Sequence, residues 1–382
     1  MITGLSAYGA EMMLFKLLSK MDREGFEPTV ITLGSRQGVA DDIEKIGIPV
    51  HAMNMRPGPR ALFGAVRLLR TLRRLKPDVL QGWMYHGNLA ALFAKYAGFL
   101  RCPLLWNIRQ SQDKNVSQKL FTTMLVRLGA ALSFLPARIL YNAQASARQH
   151  EALGYRANKT ALLPNGFDPA VFRPCDQRRA QVRAALGIAE DEIVIGLIAR
   201  YHPMKDHANF FAAAGRLAKH EPRTRFLLAG RNVDAYSPEI ANMAKANGVE
   251  DRVLLLGERK DIPELMAALD IETSSSSSES FANVIGEAMC AGVPCVVTDV
   301  GDSAFLVGDS GIVVPARDSQ ALADGWQAMI ELGPAGRRAR GQAARRRIEQ
   351  EFLLESVAKK YEELYRGVAQ RPLLAEPVAQ HS

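Results

Sequence analysis

Cysteine and long apolar runs are scarce in this chain of 382 residues. Its four cysteines are scattered without metal-ligand spacing, so we expect free, buried thiols, a reducing compartment and no zinc site. The most apolar segment, residues 121–140, is interrupted by Arg127, Pro136 and Arg138. Since a membrane-spanning helix needs about 20 apolar residues, the sequence predicts none.

Motifs of several functional classes are also missing. No G-x-G-x-x-G follows a strand-like run, which argues against an NAD-dependent oxidoreductase. The sequence has no helix-turn-helix, RRM or KH signature, and we therefore expect no nucleic-acid partner. It opens directly into a glycine-bearing loop, so no signal peptide is expected and the cytoplasm is the predicted location.

Basic residues are concentrated in the first half of the chain. Residues 1–175 contain 23 Lys and Arg against 11 Asp and Glu, a net charge of +12, whereas the remaining residues carry 25 against 29, a net charge of −4. This asymmetry indicates an anionic partner for the first half. With no nucleic-acid signature, it favours peripheral contact with an acidic membrane surface on the inner face of the cytoplasmic membrane.

Strand-like and helical runs alternate along the chain, whose length suits two domains of about 150 to 200 residues. In the first half the predicted strands are 29–33, 50–55, 79–83, 104–108, 139–142 and 160–163, and the predicted helices are 60–76, 88–98, 116–132 and 143–153. In the second half strands are predicted from residue 193 and at 226–229, 253–256, 271–273, 295–298 and 312–314, with late helices at 322–332, 337–351 and 353–366. This alternation predicts an α/β fold of two Rossmann-like, doubly wound domains, in which ligands lie at the carboxyl ends of parallel strands.

The second half is organised around the stretch from Glu279 to Glu287, which begins and ends with a glutamate. A serine run at 274–278 precedes it, and residues 281–283 have the pattern of a helix start. Because the first turn of a helix exposes N–H groups and the positive end of its dipole, it could hold a diphosphate. Glu279 would flank that anion, and Glu287 would accept hydrogen bonds from a ribose. The residues assigned to donor binding here are Phe281, Ala282, Asn283, Val284 and Glu287.

A capped surface helix with two solvated glutamates is the alternative for this stretch. Two cations strengthen the diphosphate interpretation. Arg200 and Lys205 stand five residues apart across a proline-containing turn, a spacing that can clamp one diphosphate, although a solvated basic turn is the alternative. Arg231 and Glu258 follow two later strands and are further candidates for nucleotide contacts, with Glu258 reading the base.

Candidate residues of the first half lie on its loops. Gly4 and Gly9 in the opening loop allow the backbone to approach a ligand closely. His86 follows a strand-like run and could donate to a sugar hydroxyl or carry a proton; the alternative is a packing residue at a helix start. Arg109 could reach a phosphate of the donor or of the acceptor. The alternative interpretation is that Arg109 is a surface cation without a binding role.

The glutamate pair, together with residues 280–289 and 301–303, resembles the E-x7-E signature of retaining glycosyltransferases of family 4. Further segments that resemble this family are 4–11, 164–172 and 199–206. The resemblance implies the GT-B fold, in which two Rossmann-like domains face a cleft. It also implies an enzyme of the bacterial cell-surface polysaccharide type.

On this resemblance, a sugar passes from a nucleotide diphosphate sugar to a lipid-linked or saccharide acceptor held against the first domain. The catalytic assignments are Glu279, which would orient hydroxyls of the transferred sugar rather than attack it, and His86. The chain contains no D-x-D, so protein cations and helix N–H groups would replace a divalent ion, and we predict no metal and no cofactor. A nucleotide-sugar epimerase or hydrolase of the same fold, and a non-catalytic membrane-associated homologue, remain alternatives.

The same resemblance divides the chain. We expect an acceptor-binding domain at 1–175, a linker near 173–189 and a nucleotide-sugar-binding domain at 190–350. A helix at 351–368 would cross back to the first domain, and residues 370–382 would form a disordered tail.

Two further expectations concern the first domain. Residues 67–76 interleave five cations with leucines at helical spacing, which favours acidic lipid; the alternative is a helix that covers the sheet with its charges in water. Only residues 1–3 precede the opening loop, too few for the central strand of a doubly wound sheet. We expect either a truncated first strand that upstream codons complete, which we favour, or an unfilled central slot.

Overall fold

The computed structural model describes residues 1–6, 9–55, 58, 60–112 and 120–369. The chain divides into two compact units. Of the described residues, unit 1 contains 1–112, 120–166 and 354–369, and unit 2 contains 167–353. The chain enters unit 2 at Phe167, earlier than the expected linker, because the Phe167 N–H donates to the carbonyl of Phe352 (2.8 Å) within that unit.

Strands and helices alternate through both units. In chain order the strands are β1 (Val30–Thr32), β2 (Val50–Ala52), β3 (Leu80–Trp83), β4 (Leu104–Ile108), β5 (Arg138–Tyr141), β6 (Thr160–Leu162), β7 (Ile193–Ile198), β8 (Thr224–Ala229), β9 (Val253–Leu255), β10 (Ile271–Ser274), β11 (Cys295–Thr298) and β12 (Ile312–Val314). The α-helices are α1 (Gly9–Ser19), α2 (Ala40–Lys45), α3 (Arg60–Leu75), α4 (Met84–Ala97), α5 (Leu120–Leu132), α6 (Gln144–Ala152), α7 (Asp176–Ala185), α8 (His207–Leu217), α9 (Pro238–Ala246), α10 (Ile262–Ala268), α11 (Asn283–Cys290), α12 (Ser303–Val307), α13 (Ser319–Glu331), α14 (Gly333–Glu351) and α15 (Leu354–Val368).

The sheet of unit 1 is parallel and is joined at its centre by Ile2. β1 pairs with β2, and β3, β4, β5 and β6 pair in that order. Ile2 forms parallel bridges to Thr32 of β1 and to Trp83 of β3, and its N–H donates to the carbonyl of Ile31 (2.9 Å). Ile2 therefore fills the central position, and the alternative of an unfilled slot is wrong.

The C-terminal helix α15 completes the core of unit 1. Leu354, Val357 and Tyr361 are buried in one apolar cluster with Ile2 and Trp83. The Tyr361 hydroxyl also accepts hydrogen bonds from the side chains of Asn107 (3.0 Å) and Arg109 (3.1 Å).

Unit 2 is a doubly wound domain with strand order β12-β11-β10-β7-β8-β9, all parallel. The chain direction across the sheet reverses between β7 and β10, which places the topological switch point there. β7 is an almost continuous apolar run, as expected of a strand buried on both faces. On one face Phe210, Phe226 and Trp326 pack ring against ring in the core.

The predicted fold class is confirmed, with differences at several boundaries. α4 begins at Met84, earlier than predicted, because Asn88 is already inside the helix and exchanges hydrogen bonds with the backbone of Asn107 in β4. For the predicted helix 116–132, residues 116–119 lie outside the described residues and α5 begins at Leu120. The tail 370–382 also lies outside them.

Two other predictions can be compared with the structure. The cysteines are free as predicted, although Cys175 is half-buried rather than buried. None of the helices in the described part of the chain has the length and apolar character of a membrane span.

Candidate functional site

In unit 2, the loops after β7 and β10 meet at an ion pair. Lys205 Nζ donates to Glu279 Oε1. The hydroxyl of Ser276 donates to the same carboxylate oxygen (2.8 Å), and the carbonyl of Ser276 in turn accepts from the Thr298 hydroxyl (2.6 Å). Glu279 is therefore held from both sides at the carboxyl ends of adjacent strands.

The serine run before Glu279 is a scaffold rather than a free loop. The Ser275 hydroxyl donates to the carbonyl of Lys205 (2.8 Å), and the Ser277 N–H donates to the carbonyl of Met204 (2.8 Å). Short serine side chains let the two loops lie against each other, and each bond satisfies a backbone group at the switch point.

The turn that carries Lys205 is fixed by local hydrogen bonds. The His202 ring accepts from the Met204 N–H (3.2 Å). Asp206 adopts a left-handed conformation (φ 48°) and caps α8 by accepting from the Asn209 N–H (3.2 Å). Burial, and then the positive charges of Arg200 and Lys205, lower the pKa of His202. The diphosphate clamp formed by these two cations stays a prediction.

The N-terminus of α11 lies directly after Glu279. Ala282 is the N-cap residue, with extended backbone and no side-chain hydrogen bond to the helix. The helix proper begins at Asn283, so the first-turn donors are the N–H groups of Asn283 and Val284, both half-buried. This end of the helix favours an anion.

Phe281 differs from its assignment to donor binding, because its side chain is a core residue. Its ring is buried and stacks on Phe167, with ring centres 6.2 Å apart. The same Phe167 ring lies over Gly286, where an added Cβ would come within 2.1 Å of it. Phe167 thus holds α11 in place.

A further loop approaches Glu279 at Gly301. Gly301 has a positive φ of 58°, and a Cβ there would lie 2.4 Å from the Glu279 carbonyl. The next residue, Asp302, donates its N–H to the carbonyl of Ser280 (3.1 Å). Glycine is required at this approach, which brings the loop after β11 to the site.

Glu287 is half-buried on α11, about one turn from the helix start at Asn283, and lies near a second carboxyl that the sequence analysis missed. Glu272 of β10 is fully buried, and its Oε1 accepts from the Ile198 N–H at the end of β7 (3.2 Å). Burial, and to a smaller extent the charge of Glu287, raise the pKa of Glu272 to about 8. The available signal was an acidic residue inside an otherwise strand-like run.

Arg231 and Glu258 are both exposed beyond the carboxyl ends of β8 and β9. The carbonyl of Arg231 accepts from the Tyr201 N–H (2.9 Å), which ties its loop to that of Arg200. Gly230 permits this approach, because a Cβ there would lie 2.2 Å from the carbonyl of Ala199. Glu258 lies one strand further out than Arg231.

The candidate residues of unit 1 have different environments. His86 is exposed in the first turn of α4, with its ring centre 5.8 Å from that of Phe121, and partial burial lowers its pKa. Gly4 borders open space, and Gly9 is the first residue of α1.

Arg109 is buried, so the alternative of a surface cation is wrong. Its guanidinium donates to the Tyr361 hydroxyl (3.1 Å) and to Asn165 Oδ1, and lies 4.9 Å from the centre of the Trp83 ring. Burial lowers its pKa. These contacts orient Arg109 inside unit 1, and its contact with a phosphate stays a prediction.

No cluster of three or more His, Cys, Asp or Glu side chains suited to a metal ion occurs within the described ranges.

Two family models match the chain. Residues 7–171 match the model of Glycosyltransferase Family 4, and residues 192–331 match that of Glycosyl transferases group 1. A protein named as the glycosyltransferase EpsF of Bacillus subtilis (strain 168) is 28% identical over 325 residues, which cover 78% of each chain. N-acetyl-alpha-D-glucosaminyl L-malate synthase of Bacillus anthracis is 30% identical over 215 residues, 54% of this chain and 55% of that protein.

Among solved structures, Anabaena HepE in complex with UDP superposes with a TM-score of 0.83 at 24% identity, covering 96% of this chain and 98% of that one. At this identity the match concerns the fold, which is GT-B. The chain therefore belongs to the family 4 type of glycosyltransferases.

Proposed function

We propose that this glycosyltransferase is a retaining enzyme that moves a sugar from a nucleotide diphosphate sugar to a lipid-linked or saccharide acceptor in polysaccharide or glycoconjugate synthesis. The observation that carries the proposal is the Lys205–Glu279 ion pair directly before the N-terminus of α11. A cation, a carboxylate and helix N–H donors therefore belong to neighbouring loops at the topological switch point of unit 2.

The chemistry follows from charge. The leaving diphosphate gains negative charge as the glycosidic bond breaks, so preorganised donors lower the barrier. Arg200, Lys205 and the N–H groups of Asn283 and Val284 supply positive charge at the β7 and β10 ends. Glu279, fixed by Ser276, orients the hydroxyls of the transferred sugar. Glu287 accepts from the ribose.

The cations and helix N–H donors also support metal-independent transfer. They perform for the diphosphate the charge neutralisation that a divalent ion performs elsewhere. The missing D-x-D supports the same proposal.

The solved complexes of HepE with UDP, with UDP-glucose, and with UDP and glucose make uracil the base to test first. For unit 1, the proposal includes peripheral association with an acidic membrane through the cations of α3. His86, which is exposed near the carboxyl end of β3, is the candidate for contact with the acceptor.

One set of experiments tests the proposal. Calorimetric titration with UDP, GDP and ADP should give saturable binding of one nucleotide, and a screen of the matching sugars with lipid-linked acceptors should give transfer. Nuclear magnetic resonance of the product should show the anomeric configuration of the donor. An inverted product would contradict the retaining mechanism, and nucleotide release independent of any acceptor would favour the hydrolase or epimerase. No nucleotide binding would favour a non-catalytic homologue.

A further inference from the structure

The exposed side of α5 is apolar. Leu120, Phe121, Met124 and Leu128 are between 48 and 77% exposed, and their spacing places them along one side of the helix, here called the α5 face. A surface helix normally turns its apolar side inward and its polar side to water. Contiguous apolar side chains on the outside therefore indicate a partner.

Two neighbouring helices extend this surface. α3, α4 and α5 pack into one apolar core on the same side of the unit 1 sheet, so their outward sides adjoin. Phe93 and Tyr96 are exposed on α4, and Leu62 and Phe63 are exposed on α3. Most of the exposed large apolar side chains among the described residues belong to unit 1.

Cations border the apolar residues. Arg67, Arg70 and Arg74 are exposed on α3, and Arg127 is exposed at the edge of the α5 face. Residues 45–150 include 16 Lys and Arg but only two acidic residues, Asp78 and Asp113. Two copies joined through this surface would bring like charges together, whereas an acidic bilayer offers anionic headgroups above an apolar interior.

The surface is continuous with the acceptor candidate of unit 1. Phe121 of the α5 face lies against His86, with ring centres 5.8 Å apart. A lipid-anchored acceptor in the same bilayer would present its head group beside His86.

We propose that unit 1 docks on an acidic lipid bilayer through the outward sides of α3, α4 and α5, with the α5 face inserted among the acyl chains and the arginines at the headgroups. This inference rests on the proposed membrane association and identifies the inserting surface. It predicts that apolar residues of α5, and not charge alone, hold the enzyme on the membrane.

Insertion depth can be measured with an introduced tryptophan. The native Trp83, Trp106 and Trp326 are at most 3% exposed, so their emission should not respond to lipid. Met124→Trp should shift to shorter wavelength on adding acidic vesicles and be quenched by lipids brominated on the acyl chain. Tyr236→Trp, at a residue of unit 2 that is 94% exposed, is the matched control and should do neither.

Sedimentation of the full chain with vesicles of phosphatidylglycerol and phosphatidylcholine separates the two contributions. Leu120→Ser with Met124→Ser should weaken partitioning about 30-fold or more. Arg70→Gln with Arg74→Gln should weaken it about 30-fold at low salt, and this difference should shrink at about 0.5 M salt. Arg338→Gln with Arg346→Gln, two exposed cations of α14, should leave it unchanged.

Several outcomes would overturn the inference: no binding at low salt, binding that the α5 substitutions leave intact, or a dimer that these substitutions dissociate in the absence of vesicle binding. The last result would assign the surface to a second copy of the chain. Because no nucleotide sugar is used, failure here leaves the proposed transfer standing. A chain that binds vesicles but transfers no sugar would refute the proposed function alone.

Discussion

Lys205 and Glu279, 74 residues apart in sequence, form an ion pair that joins the loop after β7 to the loop after β10. Both side chains are largely but not fully buried, at 25 and 12% exposure. The pair therefore neutralises two charges at the switch point while leaving Lys205 partly accessible. A diphosphate bound there as proposed would meet a lysine already oriented by its carboxylate partner.

Substitution of either partner should reduce transfer. We expect Lys205→Ala and Glu279→Gln each to lose about 2 to 4 kcal/mol of transition-state stabilisation, or roughly 30-fold to 1000-fold in rate. Steady-state transfer kinetics measure this loss, with Lys219→Ala, an exposed cation on the same unit, as the control. Lys205→Ala should also weaken binding of the nucleotide diphosphate. Wild-type turnover by either variant would remove Lys205 and Glu279 from the site.

Metal chelation should not affect the enzyme. Because Arg200, Lys205 and the α11 N–H groups are proposed to neutralise the diphosphate, activity in excess EDTA should equal activity with added magnesium. The measurement is an initial rate after dialysis against EDTA, with a magnesium-dependent transferase as the control. Strict dependence on added magnesium would show that these groups are insufficient.

The packing of α11 on Phe167 can be tested with one methyl group. Gly286→Ala places a Cβ 2.1 Å from the Phe167 ring, and such overpacking typically costs about 1 to 3 kcal/mol. Thermal unfolding should show a lower melting temperature, and the displaced helix mouth should bind nucleotide more weakly. Gly367→Ala on α15, where a Cβ meets nothing within 4 Å, should be neutral or stabilising. Equal stability of the two variants would contradict this account.

Glu272 should make stability depend on pH. Burial raises its pKa from an ordinary 4.5 to about 8, so between these values the folded state keeps a proton that the unfolded chain has lost. The free energy of unfolding then falls as pH rises through this window. Glu272→Gln removes this titration and should be more stable than wild type at pH 8 by up to a few kcal/mol, with a much smaller difference at pH 5.

Urea denaturation at the two pH values measures this effect. The exposed Glu258→Gln should show no such pH dependence. A stability difference between Glu272→Gln and wild type that is the same at both pH values would rule out a buried neutral carboxyl.

Sequence periodicity predicted the strands of unit 2 well, and β11 and β12 have the predicted bounds. Buried parallel strands are short runs of β-branched residues bounded by glycine or proline, a pattern that is local. The positions of Glu279 on a loop and Glu287 on a helix were also predicted, because motif spacing is visible in the sequence. Their role in donor binding stays a prediction.

Properties that depend on distant partners could not be predicted. Arg109 bonds to Tyr361, 252 residues later, so no local pattern distinguishes it from a surface cation. Phe281 was assigned to the ligand because the motif surrounds it, yet Phe167 takes its ring into the core. The exposure of the apolar side of α5 could not be predicted either, because periodicity shows that a helix has an apolar stripe but not whether that stripe faces the core or the solvent.

The placement of α15 has a consequence for synthesis of the protein. Unit 2 is a continuous segment and can fold as soon as it leaves the ribosome, whereas the core of unit 1 includes Leu354, Val357 and Tyr361. The first-translated part of unit 1 must therefore wait for residues that are translated after the whole of 167–353, and the apolar surface that α15 covers stays exposed in the meantime. Unit 1 therefore begins to fold before unit 2 and finishes after it. Chaperones should engage the surface that α15 later covers on nascent chains.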